Sequence, residues 1–501
     1  MPSPTRLIIL SALVIVNLSI QQTQAQRGSS GSPIQTAPAD PAIASALTGV
    51  SPKQIHATIE KLVSFNNRST LSSMETDLAP NTGVLAAADW ITSEFQRIST
   101  ACNNCLEVKR DEFTEPGSDA ANSRIRKPTK LVNVYAILKG TDPAQSARRV
   151  LVTGHYDSRN SDNFNTHDAA PGANDDASGV AVSIECARVL SKLKFPSTIV
   201  FVAVAGEEQG LNGSRHLAKL ARSEGWQLEA VLNNDIVGGD TTPGQQADED
   251  KTAVRVFSEG VPSPGIFEGS ADKSPDTLRL IHSLGSDSDS PSRELARAIE
   301  DTARTYLLNT GAHSGTLGGG DHVDEEPFHP VMIFRADRYL RGGDHTSFNL
   351  EGFPAVRFTE WRENFDHQHQ NIRTENGIQY GDLIQYDDFD YIANVARLNA
   401  ATLATLASAP GVPQNVHVLT TALDNNTELT WEPPTGAPAS TTYEIVWRAT
   451  ELPTWTAFIS AGSATTIKLP VSKDNVVFGV RSVDVAGHRS IAVYPTPAPR
   501  K

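Results

Sequence analysis

Between residues 131 and 235 the chain alternates between apolar segments typical of strands and segments with the periodicity of helices. The apolar segments read L-V-N-V-Y-A-I-L, R-V-L-V-T-G-H-Y, S-T-I-V-F-V-A-V-A and L-E-A-V-L-N-N-D, and helical patterns such as G-V-A-V-S-I-E-C-A-R-V-L lie between them. This alternation predicts an α/β fold in which a mostly parallel central sheet has helices on both faces. Open sheets of this kind bind their ligands at the carboxyl ends of the strands.

Several polar side chains lie where these predicted strands end. His155 ends one strand, Glu207 and Glu208 follow a second, and Asp235 ends a third. Two adjacent carboxylates after an apolar strand would be costly to bury without a cation or a proton between them. We therefore expect one of the two glutamates to bind a cation, and the other to act as a general base on a nearby water molecule.

Two further acids lie close to these positions in the sequence. Asp157 comes two residues after His155, so it shares a strand face with it and can orient the imidazole, as carboxylates do for metal-binding histidines. Asp175 lies beside Asp176 in P-G-A-N-D-D-A-S-G, a loop that enters a helix. A helix N-cap needs only one such residue, so the pair indicates a further role.

Together with a histidine in H-Q-H-Q at 367–370, the chain has two imidazoles and three carboxylates in separate, recognisable contexts. The five residues are His155, Asp175, Glu208, Asp235 and His369. This set satisfies two zinc ions if one carboxylate bridges them, because each metal then has one histidine, two carboxylates and an open position for water. Such a centre hydrolyses peptide bonds.

These motifs make residues 51–408 resemble the co-catalytic di-zinc aminopeptidases of bacterial secretions, whose superfamily also contains glutamate carboxypeptidases and glutaminyl cyclases. The matching segments are G-H-Y-D-S, G-A-N-D-D-A-S-G, A-G-E-E-Q-G-L-N-G-S-R, N-N-D and G-G-D-H-T-S-F-N-L-E-G-F-P-A. The resemblance implies that Asp175 bridges two Zn²⁺ ions per chain. His155 and Asp235 then complete one site, and Glu208 with a late histidine completes the other.

The resemblance also assigns two residues to catalysis. Glu207 would be the base that deprotonates the attacking water, and Asp157 would hold the imidazole of His155. The late histidine is expected to be His369 rather than His367, because Thr374 follows His369 at the family's spacing. The family's tyrosine, which helps to stabilise the oxyanion, is replaced by Gln368, so another donor or the zinc alone must do so. Arg373 replaces the family's aspartate.

Asp344 and His345 lie in the G-G-D-H segment, and two interpretations stay open for them. They line the pocket and contact the substrate or a group beside it, or they set the turn before Phe348.

The first residues predict export. Arg6 and the apolar run from Leu7 to Leu18 have the composition of a signal peptide over residues 1–25, and a linker is expected over 26–50. After cleavage no membrane insertion is expected, and the protein would be secreted or periplasmic. In such a compartment Cys102 and Cys105 are expected to form a local disulfide.

Around Pro410 the sequence pattern changes to short segments in which apolar and polar residues alternate, as in β-strands. This pattern predicts a β-sandwich over residues 411–498. This part resembles a fibronectin type III module, which implies an accessory domain without chemistry of its own. Its role would be adhesion through contact with a surface or polymer, spacing, or stabilisation. We expect the catalytic domain to fold without it. Elsewhere, periodicity predicts helices over 52–65, 83–99, 291–310 and 387–407, with a loop-rich stretch at 238–290.

The sequence thus predicts an exported zinc-dependent exopeptidase acting on peptides, most simply an aminopeptidase. A carboxypeptidase or dipeptidase is the first alternative, and a cationic pocket would favour it, with Arg335, Arg338 and Arg341 as candidates. A glutaminyl cyclase-like acyltransferase with one zinc is the second. The net charge of −15 argues against binding to nucleic acid.

Overall fold

The computed structural model describes residues 31–243, 249–263, 275–308, 327–421 and 423–498. The signal peptide predicted for 1–25 lies outside these ranges. The strands are β1 (Ser32–Pro33), β2 (Leu106–Glu115), β3 (Thr129–Leu138), β4 (Arg148–His155), β5 (Thr198–Val204), β6 (Gln227–Asn234), β7 (Ala253–Ser258), β8 (His329–Ile333), β9 (Ala355–Glu360), β10 (Arg373–Glu375), β11 (Ile378–Tyr380), β12 (Gln414–Val418), β13 (Thr427–Glu432), β14 (Thr442–Ala449), β15 (Ala457–Gly462), β16 (Thr466–Leu469), β17 (Val476–Val483) and β18 (Thr496–Pro497). The α-helices are α1 (Pro41–Leu47), α2 (Pro52–Val63), α3 (Gly83–Ala101), α4 (Ser178–Leu190), α5 (Asn212–Ser223), α6 (Pro275–Leu284), α7 (Pro291–Tyr306), α8 (Asp344–Leu350) and α9 (Phe389–Ser408).

The catalytic part is built on an eight-stranded sheet with the order β2-β3-β5-β4-β6-β9-β7-β8. The four central strands β5, β4, β6 and β9 are parallel, whereas β3 runs antiparallel to both β2 and β5, and β7 runs antiparallel to β9. The sheet is therefore mixed, and the expectation of a mostly parallel sheet is correct only for its centre. Strand β2 was not predicted because its charged residues give the pattern of an exposed edge strand.

Helices cover both faces of this sheet, as predicted, and β5 illustrates why. All seven of its residues are buried. Ile199, Phe201 and Ala203 belong to the large core under α2, α3, α4 and α9, whereas Val200 and Val202 pack on the opposite face with α5 and α8. A strand buried on both sides has the continuous apolar sequence seen here.

The predicted helices agree with the structure to within a few residues. The prediction of loops over 238–290 is wrong in two respects, because helix α6 and strand β7 lie there. Strand β7 joins the sheet between β9 and β8. Its six residues are too few, among many Gly, Asp and Ser residues, to give a clear strand pattern. Among the described residues, no helix combines the length and apolarity that crossing a membrane requires.

The N-terminal segment differs from the linker expected over 26–50. In its described part, β1 adds antiparallel to β15 at the edge of the C-terminal sandwich. Helix α1 then begins with Asp40 as N-cap, whose carboxylate accepts from the amide of Ala42 at 2.7 Å, and it buries Ile43 and Leu47 in the main core. The i, i+4 spacing of these two apolar residues gives the helix a face to bury.

The C-terminal part is a sandwich of two four-stranded sheets, β1-β15-β14-β17 and β16-β13-β12-β18. Trp431, Tyr443 and Trp447 lie in the core between them. Elsewhere in the chain, Cys102 and Cys105 are joined by a disulfide just after α3.

Charged groups buried at the interface hold this sandwich to the catalytic part. Asp289, just before α7, accepts from Arg448 of the sandwich at 2.6 Å and lies 3.2 Å from Arg297 of α7. Arg297 also donates to the carbonyl of Pro453 at 2.8 Å. The side chains of these three ionised residues are 1–4 % exposed. Truncation after residue 409 would leave Asp289 paired with Arg297 but without Arg448. Independent folding of the catalytic domain stays a prediction.

The Asp289→Ala variant tests this interface. We expect the free energy of unfolding to fall by about 3–5 kcal/mol, since Arg448 is left buried without a carboxylate, whereas Arg297 keeps its pair with Glu294. Denaturant titration of the full chain measures the change. Glu375→Ala, an exposed substitution, serves as control and should stay within about 0.5 kcal/mol. Equal midpoints for the two variants would show that the ion pairs do not stabilise the interface.

Candidate metal centre

The strand ends bring four of the sequence-predicted residues to one edge of the sheet. His155 is the last residue of β4, Asp235 follows β6, and Glu207 and Glu208 lie in the turn after β5. Because these three strands are neighbours and parallel, their carboxyl ends meet. Asp175 reaches the same place from the loop before α4.

The candidate ligand atoms form two clusters. His155, Glu207 and Asp235 have ligand atoms within 4.8 Å of one another, and so do Asp175, Glu208 and His369. In the second cluster the Nε2 atom of His369 lies 2.9 Å from Asp175 Oδ2 and 3.0 Å from Glu208 Oε1.

Asp175 lies between the clusters. Its Oδ1 atom is 3.1 Å from His155 Nε2, while its Oδ2 atom faces His369. One carboxylate thus offers an oxygen to each imidazole, as a bridging ligand would.

Two buried atoms indicate a candidate cation site. His155 Nε2 and Glu208 Oε1 make no hydrogen bond within the described part of the chain, and both point into the clusters. Buried polar atoms without a partner are costly. Imidazole nitrogens and carboxylate oxygens grouped in this way are a donor set that suits zinc.

Asp157 holds the ligands rather than facing the cavity. Its carboxylate accepts from the backbone amides of Glu207 and Glu208, each at 3.2 Å, and from the hydroxyl of Thr70 at 2.8 Å. Its carbonyl oxygen lies 3.1 Å from His155 Nδ1, and its Oδ1 atom lies 3.5 Å from the same nitrogen. If His155 binds a metal through Nε2, Nδ1 carries the proton and donates it to this residue.

The loop that carries Asp175 is held by two residues that the sequence did not identify. Asp382 accepts from the amides of Asn174 and Asp175 at 2.8 and 2.7 Å. Arg68 is fully buried and donates to the carbonyl of Gly172 at 2.8 Å. The peptide bond between Asp175 and Asp176 is cis.

Asp176 itself has a structural role. Its carboxylate accepts from the amide of Gly179 at 2.9 Å, in the first turn of α4, and from the amide of His155 at 2.9 Å. One member of the acidic pair therefore caps the helix and the other faces the clusters.

Two more arginines, also missed from sequence, contact the candidate ligands. Arg357 is fully buried and binds both carboxylate oxygens of Asp235, at 2.7 and 2.8 Å. Arg159 donates to Glu208 at 2.9 Å and lies 2.6 Å from Nδ1 of His369. A charged residue within the apolar strand A-V-R-F is the one sequence signal that could have indicated Arg357.

The late histidine is His369 in this geometry. His367 instead stacks on Tyr386 with ring centroids 4.1 Å apart, and its Nδ1 atom is 3.7 Å from Asp240. Gln368, which stands where the family has tyrosine, donates from its side-chain amide to Asp175 at 2.9 Å. It therefore supports a candidate ligand.

A cavity of about 650 Å³ opens beside the clusters. The lining includes Glu207, Glu208, Asp235 and His369, together with the arginines Arg124, Arg159, Arg338 and Arg341. Asp344 and His345 are fully buried and are not among the lining residues. His345 donates from Nε2 to the carbonyl of Ala336 at 2.9 Å, so it shapes the loop behind the cavity wall, which favours the turn-setting interpretation.

The charges of the site shift several pKa values. Burial raises the pKa of Glu207 well above its usual range, and the nearby carboxylates of Asp235 and Glu208 raise it further. A cation beside Glu207 would therefore be needed to keep it ionised as a base. Burial would lower the pKa of His369, but the carboxylates of Glu208 and Asp175 outweigh this effect and raise it to about 10.

Comparisons with known proteins agree with this chemistry. The sequence profile of peptidase family M28 matches residues 133–264, a range that contains every candidate ligand except His369. A "Probable zinc metalloprotease" of Pyrenophora teres f. teres is 43% identical over 461 residues, covering 92% of this chain and 88% of that protein. Another from Leptosphaeria maculans is 42% identical over 448 residues, covering 89% and 95%. Among solved structures, the LapA aminopeptidase of Legionella pneumophila aligns with a TM-score of 0.45 and 20% identity, covering 73% of this chain and 74% of that chain.

The two histidines of H-Q-H-Q give a first test. His369→Ala removes a candidate ligand and should lower the zinc affinity of its cluster. Loss of a residue that only supports a ligand lowers metal affinity by roughly 10–100-fold, and we expect a larger loss here. His367→Ala is the matched control and should leave the zinc content unchanged. Elemental analysis after dialysis against limiting chelator measures both. If only His367→Ala loses metal, the ligand is misassigned.

Proton release gives a second test. With its pKa at about 10, His369 is charged at pH 7 in the metal-free protein and must lose that proton to bind zinc. Its stabilising contribution to the metal-free fold is complete below the ordinary histidine pKa of about 6.5 and is lost as the pH rises towards 10. Protons should therefore compete with zinc for His369 already well above pH 6. For a histidine with an unshifted pKa, this competition would begin only near pH 6.

Calorimetry of zinc binding at pH 7, in buffers that differ in ionisation enthalpy, counts these protons. His369→Ala should release about one proton fewer per chain than the wild type, and His367→Ala should match the wild type. Equal release from all three proteins would mean that His369 is neutral before metal binds.

Proposed function

Since the chain belongs to peptidase family M28 and is a zinc metallopeptidase, we propose that it is an exported aminopeptidase with two zinc ions. One observation carries the proposal of two ions: the carboxylate of Asp175 has one oxygen 3.1 Å from His155 Nε2 and the other 2.9 Å from His369 Nε2. Each cluster then has one imidazole and a share of one bridging carboxylate, with Asp235 in the first and Glu208 in the second.

Zinc held by these residues would supply a Lewis acid for the scissile carbonyl, lower the pKa of water and offer a position for the substrate's free amine. Glu207 contributes the proton transfer. Its carboxylate lies on the cavity wall beside the ligand atoms of His155 and Asp235, so it can take a proton from the attacking water and pass it to the leaving amine.

The groups around the ligands fix the geometry of that transfer. Asp157 binds the backbone of Glu207 and Glu208 and so sets the direction of both side chains. Arg357 holds Asp235 in a bidentate pair, the arrangement that best fixes the plane of a carboxylate. Gln368 has its amide directed to Asp175, which leaves stabilisation of the oxyanion to the metal or to another donor.

The arginines on the cavity wall favour a second candidate function. A carboxypeptidase or dipeptidase would use such a cation for the carboxylate of its substrate. Arg338 and Arg341, two of the three candidates from sequence, line the cavity, whereas Arg335 does not. The cyclase alternative needs only one zinc, and the complete second cluster around His369 counts against it.

Two features bear on export and on the accessory domain. The disulfide between Cys102 and Cys105 is the kind of bond that persists in oxidising compartments, which supports secretion or a periplasmic location. The C-terminal sandwich, which we take to be fibronectin type III-like, has buried ion pairs with α7. These favour a stabilising role over contact with a surface or polymer.

Three forms of one peptide separate the candidates. A tripeptide with both ends free, its N-acetyl form and its C-terminal amide are compared at equal concentration. An aminopeptidase cleaves the free and amidated forms and spares the acetylated one, whereas a carboxypeptidase spares the amide. A dipeptidase prefers two residues to three. Cleavage of the acetylated form would overturn the aminopeptidase proposal, and one zinc per chain would overturn the dinuclear centre.

Glu207→Gln tests the catalytic base. We expect kcat to fall by roughly 10²–10⁴-fold, the usual contribution of general base catalysis, while both metals and the unfolding midpoint are kept. Asp175→Ala is the contrasting variant and should lose metal together with activity, because it removes the shared carboxylate. Near-normal turnover by Glu207→Gln would assign the base elsewhere.

A further inference from the structure

Four arginines line the cavity beside the candidate metal centre, and two of them are neutralised by the protein's own carboxylates. Arg159 donates to Glu208 at 2.9 Å. Arg338 lies 3.0 Å from Asp337 and 3.0 Å from Glu363, and its side chain is only 8 % exposed. Neither is available to a substrate.

Arg124 has a different environment. It comes from the loop before β3, and its Nη1 atom donates to the backbone carbonyl of Glu208 at 2.6 Å. That contact fixes the guanidinium at the cavity wall but supplies no negative charge. Within the described part of the chain, no carboxylate pairs with it.

Arg341 is only partly neutralised. Its Nη1 atom lies 2.6 Å from Glu363, but Glu363 also serves Arg338 at 3.0 Å and Arg255 at 3.3 Å. Three guanidinium groups thus share Glu363, and of the three only Arg338 is paired with a second carboxylate, that of Asp337, among the described residues. This arrangement leaves an excess of positive charge. The side chain of Arg341 is 32 % exposed, and it lies over the ring of Phe365, which also lines the cavity.

These two arginines line the cavity that Glu207 also lines. Arg124 is bound to the backbone of Glu208, in the cluster of His369. Arg341 is followed by Gly342, whose carbonyl accepts from Arg357 at 3.3 Å, and Arg357 binds Asp235 in the other cluster. A peptide with its scissile bond beside Glu207 would therefore occupy a cavity whose wall carries both guanidinium groups.

We propose that Arg124 and Arg341 select substrates that carry a carboxylate close to the scissile bond. This inference rests on the proposed exopeptidase function. The carboxylate has two sources with the same chemistry: the side chain of an acidic residue next to the cleaved bond, or the α-carboxylate of a dipeptide. A guanidinium recognises either one through charge-assisted hydrogen bonds, which are stronger than neutral ones.

The experiment uses full-length, zinc-loaded Glu207→Gln protein, so that peptides bind without being cleaved. Dissociation constants are measured by calorimetry for Leu-Gln amide, Leu-Glu amide and Leu-Gln with a free carboxylate. The first peptide carries no charge other than that of its α-amine. The second adds a side-chain carboxylate, and the third adds an α-carboxylate. We expect at least one anionic peptide to bind about tenfold more tightly than the neutral one, with the advantage reduced at high salt.

Arginine variants in the same background assign the effect. Arg124→Gln or Arg341→Gln should bring the ratio of the dissociation constants towards one. The matched controls, Arg126→Gln and Arg335→Gln, replace exposed arginines that lie over Phe164 and Tyr339 outside the cavity lining, and they should keep the ratio. Whichever anionic peptide gains affinity identifies the source of the carboxylate.

Equal binding of all three peptides to within twofold, or an equal loss of affinity for all three in the cavity variants, would overturn the inference. Failure of the aminopeptidase proposal is detected separately. In that case wild-type protein cleaves the N-acetylated tripeptide, and the same three constants, measured on acetylated peptides, still decide whether a carboxylate is preferred.

Discussion

Four carboxylates, those of Asp175, Glu207, Glu208 and Asp235, meet at the carboxyl edge of the central strands, within a few ångströms of each other. Their mutual repulsion in a buried site is the constraint on which the surrounding structure depends. Two arginines reduce this repulsion by forming ion pairs with candidate ligands: Arg357 binds Asp235, and Arg159 binds Glu208. The remaining negative charge is what the proposed zinc ions would neutralise. His155 Nε2 and Glu208 Oε1, which make no hydrogen bond among the residues that the structure describes, lie where such ions would bind.

The candidate ligands could be predicted from sequence because several of them lie at the ends of recognisable apolar strands. His155, Glu208 and Asp235 follow apolar strands, so the periodicity that predicts the sheet also predicts where they meet. The residues that hold them could not be predicted. Arg68 and Asp382 act on the Asp175 loop from positions about 100 and 200 residues away in sequence, and a long-range pair of this kind leaves no local pattern.

The same reasoning explains where the predicted fold departs from the structure. Strand β2 lies at the edge of the sheet and is rich in charged residues, so its sequence lacks the apolar pattern of a buried strand. Strand β7 is too short to be distinguished from the polar segments around it. The segment over 26–50 has the composition of a linker, yet two apolar residues at helical spacing are enough to dock α1. Composition describes the average of a segment, whereas packing depends on single side chains.

The pairing of β1 with β15 joins residues that are about 400 positions apart in the sequence. A ribosome that adds about 5–20 residues per second needs roughly 20–80 s to make the second partner after the first. During that interval the first strand has no edge to join, and the sandwich and the catalytic part cannot close on each other. The edge of the sandwich is therefore completed by a strand that is made before the catalytic part, and this pairing forms only when synthesis is nearly finished.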